Sequence, residues 1–220
     1  MLNRLLELLY PPKCLICGNL YNINTKDTYY ACKKCKIKLK YGMTDLKIIK
    51  IYDKNFDYLI SPFIYKGEIR KLILDYKFNN KKYLYLLFSN ILADVLYEYI
   101  KEITIDYIVP VPISFNRYKE RGYNQSYLIS KRISQTLHIK LLRFSLIKTK
   151  NNKRQSELCE KDRVDNVKNV YKVFRKNLLK NKVVLLIDDI YTTGNTLNEC
   201  SKILKKANVS TIIALTIAKA

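Results

Sequence analysis

Between Val183 and Lys206 the chain reads VVLLIDDIYTTGNTLNECSKILKK. Five apolar residues run into two adjacent acids, a short loop of Thr, Gly and Asn follows, and apolar residues then recur at helical spacing. This is a strand that ends in charge and passes straight into a helix, Leu197 to Ala207. The rest of the chain supplies neighbours for it. DYLISPFIYKG, from Asp57, reads as a β segment, and EIRKLILDYKF and KKYLYLLFSNILADVLYEYIKE read as helices. IDYIVPVP, Ile105 to Pro112, is a buried-strand pattern stopped by prolines. NQSYLISKRISQTL reads as a helix, HIKLLRFSLIK as a strand, the polar TKNNKRQSELCEKDRVDN as a mobile excursion, and STIIALTIA as a final strand. Strands alternating with helices imply an α/β fold with a mostly parallel sheet and flanking helices.

Open parallel sheets gather ligands at the carboxyl ends of their strands, and Asp188 and Asp189 stand at such an end. In the loop beyond them, backbone N–H groups at a helix start and the hydroxyls of Thr192, Thr193 and Thr196 suit a monoester phosphate. Gly194 allows the backbone a close approach, and Asn195 completes the TTGNT run. Two carboxylates beside a phosphate cradle repel the phosphate, so they need another group to bind. Ribose hydroxyls, which donate to carboxylates, meet that need, and the implied ligand is a ribose 5-phosphate. A pair of helix-capping acids or a metal-binding acid pair on another α/β fold are the alternatives; neither accounts for three threonines around a glycine. No GxxxxGK[ST] or GxGxxG occurs, which excludes the usual nucleotide cradles.

Ahead of this core, CLIC at Cys14 to Cys17 and CKKC at Cys32 to Cys35 form two CxxC knuckles separated by 14 residues. Each can aim two thiolates at one ion, and four thiolates complete a tetrahedral, closed, structural Zn2+ site. Gly18 lets the first knuckle turn back. A redox pair or an iron–sulfur cluster are the alternatives, and the paired spacing favours zinc. Cys159 and Cys200 have no partner at metal spacing and read as free thiols. A chain of 220 residues accommodates one α/β domain plus a small appendage, here residues 1–50 as zinc module and 51–220 as core. No apolar run approaches the ~18 residues of a membrane span. The N-terminal MLNRLLELLYPPKC carries Glu7 in its apolar stripe and no small-residue cleavage site, so the cysteines are expected in a reducing cytoplasm.

The formal net charge is +22. Such a balance points to a phosphate-rich partner, nucleic acid or a phosphorylated metabolite, although abundant Lys, Asn, Ile and Tyr also fit simple compositional drift. Arginine says more. Nine of the 41 basic residues are Arg, and six of these fall between Arg117 and Arg163. Where lysine is the default cation, a guanidinium suggests bidentate work on phosphate or carboxylate.

VVLLIDDIYTTGNT resembles the phosphoribosyl pyrophosphate (PRPP) motif of type I phosphoribosyltransferases. VPVPISFNRYKERGYNQSYLIS, Val109 to Ser130, resembles a signature of one subgroup, the ComF/ComFC competence proteins. KRQSELCEKDRVDNVKNVY, Lys153 to Tyr171, resembles that subgroup's Q-x-x-L…R-x-x-N segment, and the four-cysteine module also fits. The departures are Tyr123 and Tyr171, where Phe is frequent. The resemblance implies a phosphoribosyltransferase type I-like core that binds PRPP or a related phosphoribosyl ligand with Mg2+. Asp188 and Asp189 would meet the ribose hydroxyls, and Thr192 to Thr196 the 5-phosphate. The loop after IVPVP would take the pyrophosphate, with Arg117 and Arg121 as its cations and Lys77 and Arg163 as further candidates.

The same resemblance implies a cytoplasmic competence factor that assists internalisation of single-stranded DNA in natural transformation, with the DNA-uptake machinery as partner. Three classes stay open: a transferase acting on an unidentified acceptor, a PRPP-gated adaptor, and a DNA-binding protein with a vestigial sugar-phosphate site. The intact acid pair and loop speak against the vestigial class. No acceptor pocket and no Ser-His-Asp or Cys-His set can be assembled; His138, the single histidine, follows a helix and reads as structural.

Overall fold

The computed structural model describes residues 11–21, 29–44, 48–99, 103–149 and 170–220. Helix α1 (Lys33–Gly42) leads into β1 (Ile49–Lys50), β2 (Tyr58–Ile60) and β3 (Phe63–Ile64). Helices α2 (Gly67–Phe78) and α3 (Leu84–Tyr99) follow, then β4 (Tyr107–Pro110), α4 (Phe115–Arg121) and α5 (Gln125–Leu137). Next come β5 (Lys140–Leu141), β6 (Leu146–Lys148), β7 (Tyr171–Val173) and the short α6 (Lys176–Leu179). The chain closes with β8 (Val183–Ile187), β9 (Ile190–Tyr191), α7 (Asn195–Lys205), β10 (Thr211–Leu215) and β11 (Ala218–Lys219).

Among these residues the main sheet has six strands in the order β1-β2-β10-β8-β4-β5. Only β1 runs antiparallel, against β2; the other pairings are parallel. The central strands are apolar at successive positions because both faces are covered. In β8, Val184 and Leu186 enter one core cluster while Leu185 and Ile187 enter the other; in β10, Ile212 and Ala214 part from Ile213 and Leu215 in the same way. Buried residues of α2, α3 and α5 share the cluster of Leu185, and those of α7 share the cluster of Leu186. Each such side chain removed from water contributes about 1.5–3 kcal/mol, so the α/β expectation rests on two cores with one sheet between them.

At the amino ends of the central strands, acids serve the fold. Asp106 accepts from Val183 N at 2.8 Å and pairs with Lys182 at 2.9 Å. Asp57 accepts from Ile212 N at 2.7 Å and pairs with Lys205 at 2.8 Å. At the carboxyl ends the ladders break. β2, β10 and β8 each stop, skip two residues and resume as β3, β11 and β9, which form a second parallel sheet. Asp188 N donates to Leu215 O and Ile217 N to Asp189 O, so the skipped pairs stay bonded across the seam. The β2–β3 skip contains Pro62, which has no N–H to give a ladder. Thus DYLISPFIYKG and STIIALTIA, each expected as one strand, are two.

HIKLLRFSLIK also divides, at a turn over residues 142–145, into β5 in the main sheet and β6, which pairs antiparallel with β7. Helix α1, within a stretch of little sequence periodicity, and α4, within the proline-led loop, had no expectation; α1 carries Cys35 and five lysines in place of an apolar stripe, with Cys32 as its N-cap. The boundary expected between residues 50 and 51 comes directly after β1, which pairs with β2 of the core. Most of the excursion expected from TKNNKRQSELCEKDRVDN, including Cys159, lies outside the described residues. No described helix is long and apolar enough to cross a membrane.

Candidate functional site

A cleft opens at the carboxyl ends of β4 and β8 and the start of α7. It brings together Asp188, Asp189, Thr192, Thr193, Gly194, Asn195 and Thr196 with Lys77, Arg117 and Arg121, residues from three separate parts of the chain. Arg163 lies outside the described residues. His138 sits at the left-handed C-cap of α5 and is not among the residues that line the cleft.

The two acids have different partners. Asp188 Oδ1 accepts from Ser126 Oγ at 3.1 Å and from Asp189 N at 2.9 Å. Burial, then the neighbouring Asp189 charge, push its carboxyl up to about 7, against the Asp189 amide, Lys77 and Ser126. Asp189 Oδ1 forms an ion pair with Lys77 Nζ at 2.8 Å, both side chains being mostly buried. Lys77, expected as a pyrophosphate candidate, therefore reaches the cleft already engaged with an acid.

Their placement comes from the YNQS segment. Asn124 caps α5, accepting from Tyr127 N at 3.1 Å, and its Nδ2 donates to Val111 O at 3.0 Å, which ties α5 to the end of β4. A side-chain N-cap of this kind is worth about 1 kcal/mol. Two residues beyond Asn124, Ser126 then faces Asp188. Tyr123 donates to Tyr76 O and Tyr76 donates to Gln125 O at 2.9 Å. This reciprocal clasp holds the last turn of α2 against the start of α5 and sets Lys77 beside Asp189. The motif was legible in the sequence as a signature; these supporting roles were not.

The loop after the acids is shaped by Gly194, at φ +73° and N-cap of α7. A Cβ there would stand 2.5 Å from Tyr191 Cε2, so glycine is required on two counts, left-handed backbone and space. The N-cap residue of α7 supplies no side-chain cap and no acid lies in the first turn of this helix. Its leading N–H groups and positive dipole end are therefore presented to the cleft, an arrangement that favours an anion.

Across the cleft, Arg117 and Arg121 come from α4, whose N-cap Ser114 accepts from Arg117 N at 3.4 Å. Arg121 Nη1 donates to Gln125 Oε1 at 3.1 Å and its guanidinium packs 4.9 Å from the Phe78 ring centroid, while its buried Nε has no partner. Lys148, at the end of β6, also lines the cleft and was missed by sequence reasoning. Burial, then the facing Arg117, lower its pKa to about 8. Among the described residues neither Arg117 nor Lys148 pairs with a carboxylate. Two cations facing each other in a partly buried space favour an anion between them. The only sequence signal for Lys148 was its position at the end of an apolar run. Tyr171 joins it in the lining, with Lys148 Nζ 5.7 Å from its ring centroid.

Away from the cleft, the sulfurs of Cys14, Cys17, Cys32 and Cys35 all lie within 4.8 Å of one another. The Cys17–Cys32 sulfur separation of 3.9 Å matches the edge of about 3.8 Å that a Zn–S tetrahedron with bonds near 2.3 Å requires. Gly18, at φ +78°, donates to Cys14 O and closes the first knuckle. Burial raises the Cys14 thiol, but the backbone N–H groups of Cys17, Cys32 and Ile16 outweigh it and bring the pKa down to about 7. The four residues fit a closed metal site that would hold Zn2+ structurally, with no open position for water. Cys200 is a free thiol on the buried face of α7.

Residues 123–220 match the family of the phosphoribosyl transferase domain. Competence protein F of Haemophilus influenzae is 31% identical over 197 residues, which cover 86% of this chain and 84% of that protein. Competence protein ComFC of Bacillus subtilis is 28% identical over 51% of this chain and 44% of its own length. The DNA utilization protein YhgH of Escherichia coli K12 is 31% identical over 49% of this chain and 46% of its own. Among solved structures, adenine phosphoribosyltransferase of Saccharomyces cerevisiae aligns with a TM-score of 0.41 at 15% identity, over 61% of this chain and 69% of that one.

Proposed function

The chain belongs to the competence protein F/ComFC family and carries a type I phosphoribosyltransferase-like fold, and from that premise we propose that its cleft binds PRPP or a related phosphoribosyl ligand. One observation carries the reading: a pair of carboxylates at a strand end faces a helix start without a side-chain N-cap on one side, and on the other Arg117 and Lys148, neither of which pairs with a carboxylate among the described residues. That charge sequence, anion site, hydroxyl acceptor, anion site, is the charge sequence of a sugar phosphorylated at both ends. The 5-phosphate takes the Thr192–Thr196 loop, the ribose hydroxyls take Asp188 and Asp189, and a pyrophosphate takes Arg117, Arg121 and Lys148. Lys77 holds Asp189 in place, and Arg163 stays a further candidate. Mg2+ is bound through one or two carboxylates plus substrate oxygens; Asp188 and Asp189 are the carboxylates that would share it with the ligand.

The biological role that follows is assistance to the internalisation of single-stranded DNA during natural transformation, in company with the uptake machinery. Cysteines grouped at metal-site geometry support a reducing, cytoplasmic setting. The test is calorimetric titration of PRPP with Mg2+ into wild type and the Asp188→Ala/Asp189→Ala variant. Charge-assisted hydrogen bonds contribute about 1.5–3 kcal/mol each, so the variant should bind at least about a hundredfold more weakly. Equal affinities, or no binding by wild type, defeat the reading.

A further inference from the structure

Beside the cleft, and sharing Pro112, Ile113 and Lys148 with it, runs a second and larger depression of about 440 Å³ between α4 and the turn that joins β5 to β6. Its rims are aromatic and open to water: Phe115 is 74% exposed and Phe144 63%. Tyr118, 45% exposed, stands one turn from Phe115 on α4. Large rings left in water forfeit the burial that would stabilise them, and here they cluster around one groove. Arg143 Cζ lies 4.1 Å from the Tyr127 ring centroid and 4.7 Å from that of Phe144, a guanidinium already seated between two π-faces. Lys82 stands over the Tyr123 ring at 5.8 Å, and among the described residues no Asp or Glu lines the groove.

Planar faces to stack on, fixed cations and no acid are what a chain of stacked bases joined by phosphates recognises. A hydrophobic protein segment would find the rings but not a reason for the cations. We infer that this groove is the seat of a single-stranded nucleic acid, its bases stacked on Phe115, Tyr118 and Phe144 and its phosphates drawn to Arg143, Lys82 and Lys148. The choice of partner rests on the competence reading above, whereas the site itself does not. The groove meets the cleft at Lys148, so a strand lying in it ends beside the sugar-phosphate site.

The test uses the full chain and fluorescence anisotropy of a labelled oligo(dT) of about 20 nucleotides. Wild-type affinity should fall steeply between about 50 and 200 mM salt, as phosphate contacts demand. Phe115→Ala with Phe144→Ala should weaken binding at least about tenfold, because stacking is lost at two platforms. Phe115→Tyr with Phe144→Tyr should restore it. Both pairs are exposed, so thermal melting should be unchanged, and PRPP titration is run in parallel. A wild type that ignores PRPP but loses oligonucleotide on Phe-to-Ala replacement keeps the groove and discards the phosphoribosyl reading. Unchanged affinity in the alanine pair, equal affinity for duplex DNA, or no wild-type binding at low salt overturns the groove.

Discussion

Replacing Asp188 with Asn removes a charge while keeping the shape of the side chain and the Oδ1 acceptor used by Ser126 and the Asp189 amide. In the ligand-free protein, burial and then Asp189 push the Asp188 carboxyl from its ordinary 3.8 up to about 7. A carboxyl whose pKa is raised on folding holds its proton more tightly in the folded state. The stability that proton contributes is therefore fully present below about pH 4 and is lost as pH rises through about 7. At about 1.4 kcal/mol per pKa unit the full loss approaches ~4 kcal/mol. Asp188 opens on a cleft where solvent and Lys77 screen it, so about 1–2 kcal/mol is expected. The Asn variant has no such loss. At pH 8 it should be the more stable protein, by about 2–8 °C in Tm for a chain of this size, and the gap should close toward pH 4. PRPP affinity at pH 8 should fall at least about tenfold, since the neutral amide is a poorer acceptor for ribose hydroxyls. Thermal melts of both proteins from pH 4 to 8.5, with titrations at pH 8, read the two effects separately. A variant no more stable than wild type at pH 8 would show that the ionised Asp188 carries no penalty, and would refute the reasoning.

Gly194→Ala places a Cβ 2.5 Å from the Tyr191 ring in left-handed backbone; a stability loss of about 1–2 kcal/mol or more and at least tenfold weaker PRPP binding are expected in melts and titration. Lys148→Ala should weaken PRPP binding at pH 7 roughly tenfold or more. It should also abolish the decline in affinity expected in wild type as pH rises through about 8, where Lys148 sheds its proton; a wild-type profile flat across that range counts against its role. Metal analysis should find one Zn2+ per chain, and chelation should break the Tyr29–Asp94 contact that ties the N-terminal module to α3 before the core melts, visible as early amide exchange in the module. Absence of zinc, or an iron–sulfur absorbance, would contradict that site.

The parts of the molecule legible in its amino-acid order are those whose information is local. Val183–Ile187 is a strand because five apolar side chains in a row need two covered faces, and the helix after Gly194 follows from its own 3.6-residue pattern. The four cysteines are legible because a metal site is a matter of spacing within two tight turns. The acids and the TTGNT loop were legible as one covalent unit, and the structure places all of them in one cleft.

What lay beyond reading is whatever depends on elements distant in the chain. Adjacent residues of a regular strand point to opposite faces, so Asp188 and Asp189 could not both line a cleft in an unbroken β8. They do because β2, β8 and β10 break their ladders at one level, and that alignment exists only once the three strands are side by side. The same assembly decides that Ser126 meets one acid and Lys77 the other, and that Lys148 faces Arg117. Local periodicity encodes which face of an element seeks cover; it carries no record of the neighbour that provides it. Pairings such as Lys77 with Asp189 arise only when strand order and the Tyr76–Tyr123 clasp have brought two ends of the chain together.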